Sequence, residues 1–246
     1  MKKTFLVVIL ALGILIPLAA SQVGCKGGYP PLNVMVVTAT PTQTPPYSTC
    51  SNISTPTLID DMEDNNNGIL ANKCRTGYWY NYHDTAPGGV QLVGGSAGSF
   101  VMASPGVGYN GTGTSLHCVE VSTNSGFVTY GAGFGFSFLT PQGNYNASNY
   151  SGIQFYAKST VGAPTVAFAI TDNDVVVSNY AIGPHTLNFT FSSSWNFYQI
   201  SWTQMIASGN SYGGPTVFDP SRIQQVQWSV GPGLASDVWV DNVSFY

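Results

Sequence analysis

Charge is what this sequence has least of. Asp, Glu, Lys and Arg together make up 7% of its 246 residues; Lys and Arg number 7, and the net charge is −4. An acidic chain with so few cations has no electrostatic footprint for a phosphate backbone, which excludes nucleic acid as a partner. Glutamate is confined to Glu63 and Glu120, and His83, His117 and His185 sit in unrelated stretches with no Gly-x-Ser-x-Gly elbow. A retaining glycosidase needs two carboxylates flanking the scissile bond, and a serine hydrolase needs its elbow and base. Asp172-Asn173-Asp174 reads more simply as a solvated loop or a weak cation site. The expectation is therefore a protein that is not an enzyme. None of the four cysteines lies in a Cys-x-x-Cys pair, which argues against zinc.

What is present comes in three parts. Met1-Lys2-Lys3 followed by an apolar run from Phe5 to Leu18 is a signal peptide, placed over residues 1–24. Its apolar run is short for a membrane span. Export is thus expected, with net charge more negative once Lys2 and Lys3 leave. Ala19-Ala20-Ser21 offers a cleavage site, while Val23-Gly24-Cys25 resembles the end of a lipobox; Cys25 is expected either to carry lipid at the cell envelope or to form a disulfide in a secreted protein. Residues 25–56 form a Pro- and Thr-rich linker, including Thr40-Pro41-Thr42-Gln43-Thr44-Pro45-Pro46, where neither helix nor sheet ladder propagates. In an exported chain disulfides persist. Cys74 with Cys118 is the expected bridge, and Cys25 with Cys50 becomes plausible if Cys25 is not lipidated.

Residues 57–246 form the third part. The abundance of Gly, Tyr and Phe and the scarcity of Lys, Glu and Arg point to strands joined by tight turns. Eleven strand candidates run from Leu58 to Met62, Tyr78 to Tyr82, Phe100 to Ala103, Ser115 to Val121, Gly133 to Leu139, Gly152 to Ala157, Thr165 to Thr171, Thr186 to Phe191, Phe197 to Trp202, Ile223 to Val230 and Val238 to Phe245. Phe134, Phe136 and Phe138 alternate with Gly133, Gly135 and Ser137, and Val166, Phe168 and Ile170 with Ala167 and Ala169. One apolar face per strand makes an antiparallel β-sandwich of the jelly-roll kind. Thr203 to Ser208 alone hints at a helical turn.

Two stretches carry chemistry. Asp60-Asp61-Met62-Glu63-Asp64 holds four of the eleven carboxylates in five positions, beside Asn65-Asn66-Asn67-Gly68. Like charges this close are either solvated or neutralised by a hard cation such as calcium. A first strand beside a last one would bring Glu63 to Asp241. Tyr78-Trp79-Tyr80-Asn81-Tyr82-His83 combines flat rings with short polar groups, as a sugar pocket requires. By alternation Tyr78, Tyr80 and Tyr82 face one way and Trp79, Asn81 and His83 the other. Either set fits the groove, since tyrosine is amphipathic. Tyr109, Tyr130, Tyr180 and Tyr212 are candidate rim residues, whereas Trp195, Trp202, Trp228 and Trp239 are expected in the core.

At these residues the chain resembles the galactose-binding-like jelly rolls, among them carbohydrate-binding modules of bacterial glycanases. The resemblance rests on the opening strand Leu58 to Asp64, the closing strand Val238 to Phe245, and Gly131 to Phe136, Tyr150 to Lys158, Trp195 to Ile200 and Phe218-Asp219-Pro220 between them. It implies non-catalytic binding of polysaccharide or surface glycan; the aromatic and polar stretch read above supplies the expected ligand residues Trp79, Tyr80, Asn81, Tyr82 and His83, with Tyr130 at the rim. It also implies a structural calcium held by Glu63 and Asp241. Asn242 stands where many members of that family have a second acid. A surface adhesion or structural protein that binds another protein is the alternative.

Overall fold

The computed structural model describes residues 57–95, 100–103, 106–109, 119–212 and 217–246, with the side chains of 119–122 outside the description. The expected signal peptide, the linker, Cys25, Cys50 and Cys118 lie outside the described residues.

Eleven strands are described: β1 (Leu58–Asp60), β2 (Trp79–His83), β3 (Gln91–Val93), β4 (Val119–Thr123), β5 (Ala132–Ser137), β6 (Gly152–Ser159), β7 (Thr165–Asp172), β8 (His185–Thr190), β9 (Asn196–Ser201), β10 (Ile223–Val230) and β11 (Ser236–Phe245). Two short helices, α1 (Asn173–Val177) and α2 (Trp202–Ser208), follow β7 and β9. One sheet has the order β3-β4-β11-β6-β9, with β1 also paired to β11; the other has the order β2-β5-β10-β7-β8. Every pairing is antiparallel. The chain is thus an all-β antiparallel sandwich.

The alternation seen in the sequence builds the core. Phe134 and Phe136 of β5, Phe168 of β7, Trp228 of β10 and Phe155 of β6 are all buried between the sheets. Trp228 lies 5.5 Å from Phe134 in a stacked pair and meets Phe155 edge-on at 5.1 Å. A second aromatic stack of Phe138, Tyr145, Tyr150 and Phe245 closes one end. Rings dominate because each buries a large apolar area with few rotatable bonds.

Two local expectations change, one strand was not expected, and one expected turn is present. Phe100 to Ala103 forms no strand, although Phe100 still packs on Trp79 at 6.0 Å. The strand β3 was not legible because three residues carry too little periodicity. Asp172-Asn173-Asp174 opens a helix: the Asp172 carboxylate caps α1 by accepting from the amides of Asp174 and Val175. The expected turn near Thr203 is α2, whose capping box joins Ser201 and Gln204.

Candidate functional site

The aromatic stretch lies in β2, at one edge of the five-stranded sheet, and alternation divides it. Trp79 points inward and is only 2% exposed, packed against Phe100, Phe134, Phe136 and Trp228. Its indole N–H donates to the buried carboxylate of Asp60 at 2.5 Å. Trp79 is therefore a core residue and presents no face to a ligand, contrary to the sequence expectation. Asn81 shares that orientation and donates to Gln91 at 2.8 Å, whose amide reaches the carbonyl of Gly133 at 3.0 Å. His83, at the exposed strand end, has Nδ1 2.7 Å from the Asp84 carbonyl and rests on Phe127. Asn81 and His83 thus stand apart from the outward face, and only Tyr80 and Tyr82 of this strand line it.

That face has an unusual floor. Register places Tyr80 opposite Gly135 and then Gln227, and Tyr82 opposite Gly133 and then Ser229. Adjacent strands lie roughly 4.8 Å apart, so β10 is about 9.6 Å from β2. The two tyrosines span that gap because β5 offers no outward side chain between them. A Cβ on Gly133 would sit 2.5 Å from the Tyr82 hydroxyl, and one on Gly135 would sit 3.1 Å from the Gln227 side chain. Gln227 donates to the Tyr80 hydroxyl at 3.0 Å and accepts from that of Tyr82 at 3.3 Å. The rings thus lie across a glycine strip, pinned at their tips. Burial, together with the neighbouring phenols, raises both pKa values above the ordinary 10.0, so both hydroxyls stay protonated.

Further tyrosines surround the strip. Tyr180 lies within electrostatic reach of the Tyr80 phenol, and Tyr130 and Tyr212 within reach of that of Tyr82. Tyr180 belongs to the segment leading into β8, the edge opposite β2 and about 19 Å away at four strand spacings. The phenols of Tyr130, Tyr180 and Tyr212 thus border the face of Tyr80 and Tyr82, which we term the trough. Tyr130, Tyr180 and Tyr212 are 55%, 41% and 74% exposed. Asp84 fixes the Tyr130 corner: its Oδ2 accepts from the amides of Val128, Thr129, Tyr130 and Gly131. Burial alone would raise this carboxyl, but the ring of amides holds it below the ordinary range. Sequence reasoning missed the roles of Gly133, Gly135, Gln227 and Asp84. The signal available was a Gly-x-Gly face of β5 beside a Tyr-x-Tyr face.

Tyr109 is not at this rim. It stacks on Tyr156 at 3.4 Å on the other sheet. There Lys158 lies over Trp195 at 4.7 Å and over Trp239 at 4.5 Å, with Phe197 49% exposed nearby. Trp202 and Trp228 are core residues as expected, whereas Trp195 and Trp239 are half-buried on an outer face.

The carboxylate cluster separates by role. Asp60 faces inward and holds Trp79, while the carboxylates of Asp61 and Asp64 accept from Glu63 and Asn66 in Asx turns. β1 pairs with β11 beside a bulge where Asn242 has φ 50°. Asp241 is buried there; its Oδ2 accepts from the Tyr109 amide at 2.6 Å and its Oδ1 has no hydrogen-bond partner among the described residues. Burial first, then the charges of Glu63 and Asp61, push Asp241 up to about 7. A buried carboxylate oxygen without a hydrogen bond, within electrostatic reach of Glu63 and Asp61, is of the donor type that a hard cation takes. Among the described residues, no three Asp, Glu, His or Cys side chains form a metal-holding group.

Asp174 and Asp219 are not an open acidic site, because Arg222 bridges them at 3.2 and 2.7 Å. Cys74 is disulfide-bonded, and the expected partner, Cys118, lies outside the described residues.

No family model and no curated protein matches the sequence. Among solved structures, the fold is similar to a family 11 carbohydrate-binding module from Clostridium thermocellum in complex with a β-1,3-1,4-mixed-linked tetrasaccharide. Identity is 20%, over 76% of this chain and 93% of that one, with a TM-score of 0.48. It is also similar to a family 30 module of a Clostridium thermocellum cellulosomal cellulase, at 15% identity over 68% and 97% of the two chains and a TM-score of 0.42. An exo-β-agarase matches at 13% identity over 77% of this chain and 24% of its own, with a TM-score of 0.43. No functional conclusion follows from likenesses at this level.

Proposed function

We propose that the domain binds a polysaccharide or surface glycan without catalysis, along the trough on the five-stranded sheet. The observation that carries this reading is the pair Tyr80 and Tyr82, laid across the β5 glycine strip and pinned at their tips by Gln227. Flat rings take the apolar faces of sugar rings, while protonated phenols and glutamine amides exchange hydrogen bonds with the hydroxyls. The outward strand positions on β5, β10 and β7 carry Gly, Ser, Gln, Ala and Thr, whose small and amide side chains support hydrogen bonding to sugar hydroxyls.

The same reading includes a structural calcium held by Glu63 and Asp241, supported by the open Oδ1 and raised pKa of Asp241. It also includes export by the leader, with Cys25 as the lipid attachment point, supported by the sequence alone. A second reading, adhesion to another protein, draws support from the aromatic patch around Lys158 on the opposite sheet.

The test is retardation of the chain in gels loaded with soluble β-glucans, xylans, mannans and pectins. Retardation by one polymer, lost in Tyr80→Ala and Tyr82→Ala but kept in Trp195→Ala, is the expected result. Free migration through the whole panel would sink the glycan reading in favour of protein adhesion.

A further inference from the structure

The buried polar group that the trough does not use directly is His185, and its surroundings are informative. It is fully buried at the start of β8, with Nε2 3.4 Å from Asp172 Oδ2 and 3.3 Å from Asn210 Nδ2. Its Nδ1 has no hydrogen-bond partner among the described residues. A buried polar atom left unsatisfied is costly, and an apolar side chain of similar size would pack here without that cost. What the imidazole contributes here therefore lies in the contacts of its other nitrogen.

Four segments meet at it. Asp172 ends β7 and accepts a third amide, that of Asp219. Phe218 lies edge-on to the ring at 5.2 Å. Asn210 donates to the carbonyl of Gly183 at 3.1 Å and bridges to His185. Beyond it, the amides of Ser211 and Tyr212 donate to the carbonyls of Pro184 and Ile182 at 2.9 and 3.1 Å. The two segments fit so closely that a Cβ on Gly183 would lie 2.2 Å from the Ser211 hydroxyl. These are the segments that carry Tyr180 and Tyr212 to the border of the trough.

We propose that His185 is a positioning residue: with Nε2–H directed at Asp172, its ring is fixed where its backbone bridges to Asn210, and this holds the 178–184 and 209–212 segments together as the outer wall of the trough. Its bearing on ligand affinity rests on the glycan reading above; its bearing on the wall does not.

The experiment compares the full chain with His185→Leu, which keeps the packing on Phe218 and removes the polar tie, and with His185→Gln, which restores a donor toward Asp172. Amide hydrogen exchange is read at Ser211 and Tyr212 and, as the control, at Phe134, Phe136 and Trp228. Exchange at 211 and 212 should rise about tenfold in the leucine variant, the equivalent of one lost hydrogen bond, with the control unchanged and glutamine restoring slow exchange. Unchanged exchange at 211 and 212, a uniform rise including the control, or failure of glutamine to restore protection would each overturn the proposal. In parallel, gels loaded with mixed-linkage β-glucan, xylan or galactomannan are run. A polymer that retards the wild type should hold the leucine variant about tenfold more weakly, and equal retardation would overturn the link to binding. If none retards the wild type, the glycan reading fails for these polymers while the exchange result still decides the role of His185.

Discussion

Replacing Asp60 by Asn should flatten the dependence of stability on pH. Asp60 lies in the core with one oxygen on the Trp79 indole and the other on the Met62 amide. Burial outweighs both hydrogen bonds, which lower the pKa, and pushes it from the ordinary 3.8 up to about 7. The folded state therefore holds this proton more tightly than the unfolded chain. Its contribution is full below pH 3.8, declines as pH rises, and is gone above about 7. At about 1.4 kcal/mol for each pH unit, the decline amounts to about 4 kcal/mol as an upper value. Asp84, Asp172 and Asp219 have lowered pKa values, so the stability they add is lost only below the ordinary 3.8, outside this window; Asp241, raised like Asp60 to about 7, declines in the same window but does so in wild type and variant alike and cancels from their difference. The assay is urea unfolding followed by tryptophan fluorescence, with chelator present, at about pH 4.5, 5.5, 6.5 and 8, which roughly span the two pKa values. Wild type should lose stability toward alkaline pH more steeply than Asp60→Asn by up to about 4 kcal/mol. Equal slopes would refute the reasoning.

Other outcomes follow from the same geometry. Tyr80→Ala and Tyr82→Ala should each weaken glycan binding by about 1–2 kcal/mol, roughly 5- to 30-fold, with unfolding midpoints near wild type; binding titrations check this. Gly133→Ala places a methyl 2.5 Å from the Tyr82 hydroxyl and 2.7 Å from the Trp228 carbonyl, so both stability and affinity should fall, the latter as Tyr82 is displaced. Chelator should lower the melting temperature of the wild type, and Asp241→Ala should lower it while removing the chelator effect. A wild type indifferent to chelator would remove calcium from the account.

Much of the sandwich was legible because Phe134, Phe136, Val166 and Phe168 alternate with small residues, and that alternation is the sheet itself. The trough was half legible. Tyr-x-Tyr and Trp-x-Asn compete for the outside of β2 on equal terms of amphipathicity, and the choice is made by Asp60, nineteen positions earlier, which accepts the indole N–H inside the core. Nothing local to β2 announces that partner. Tyr180 and Tyr212 reach the trough through contacts between segments distant in sequence, which no local pattern encodes. Trp239 faces outward because it alternates with the buried Val238 and Val240, and Trp195 precedes β9; outside the core, Lys158 covers both rings.

β11 pairs with β4, β6 and β1, and Leu58 in the first strand finds Ser244 in the last. The middle of one sheet is thus the final strand in chain order. No nucleus made of early strands alone completes that sheet, so folding is dominated by closure of long loops, a high-contact-order route that is intrinsically slow. A chain interrupted before residue 236 would carry β4 and β6 as two bare edges with nothing between them, a template for pairing with other chains.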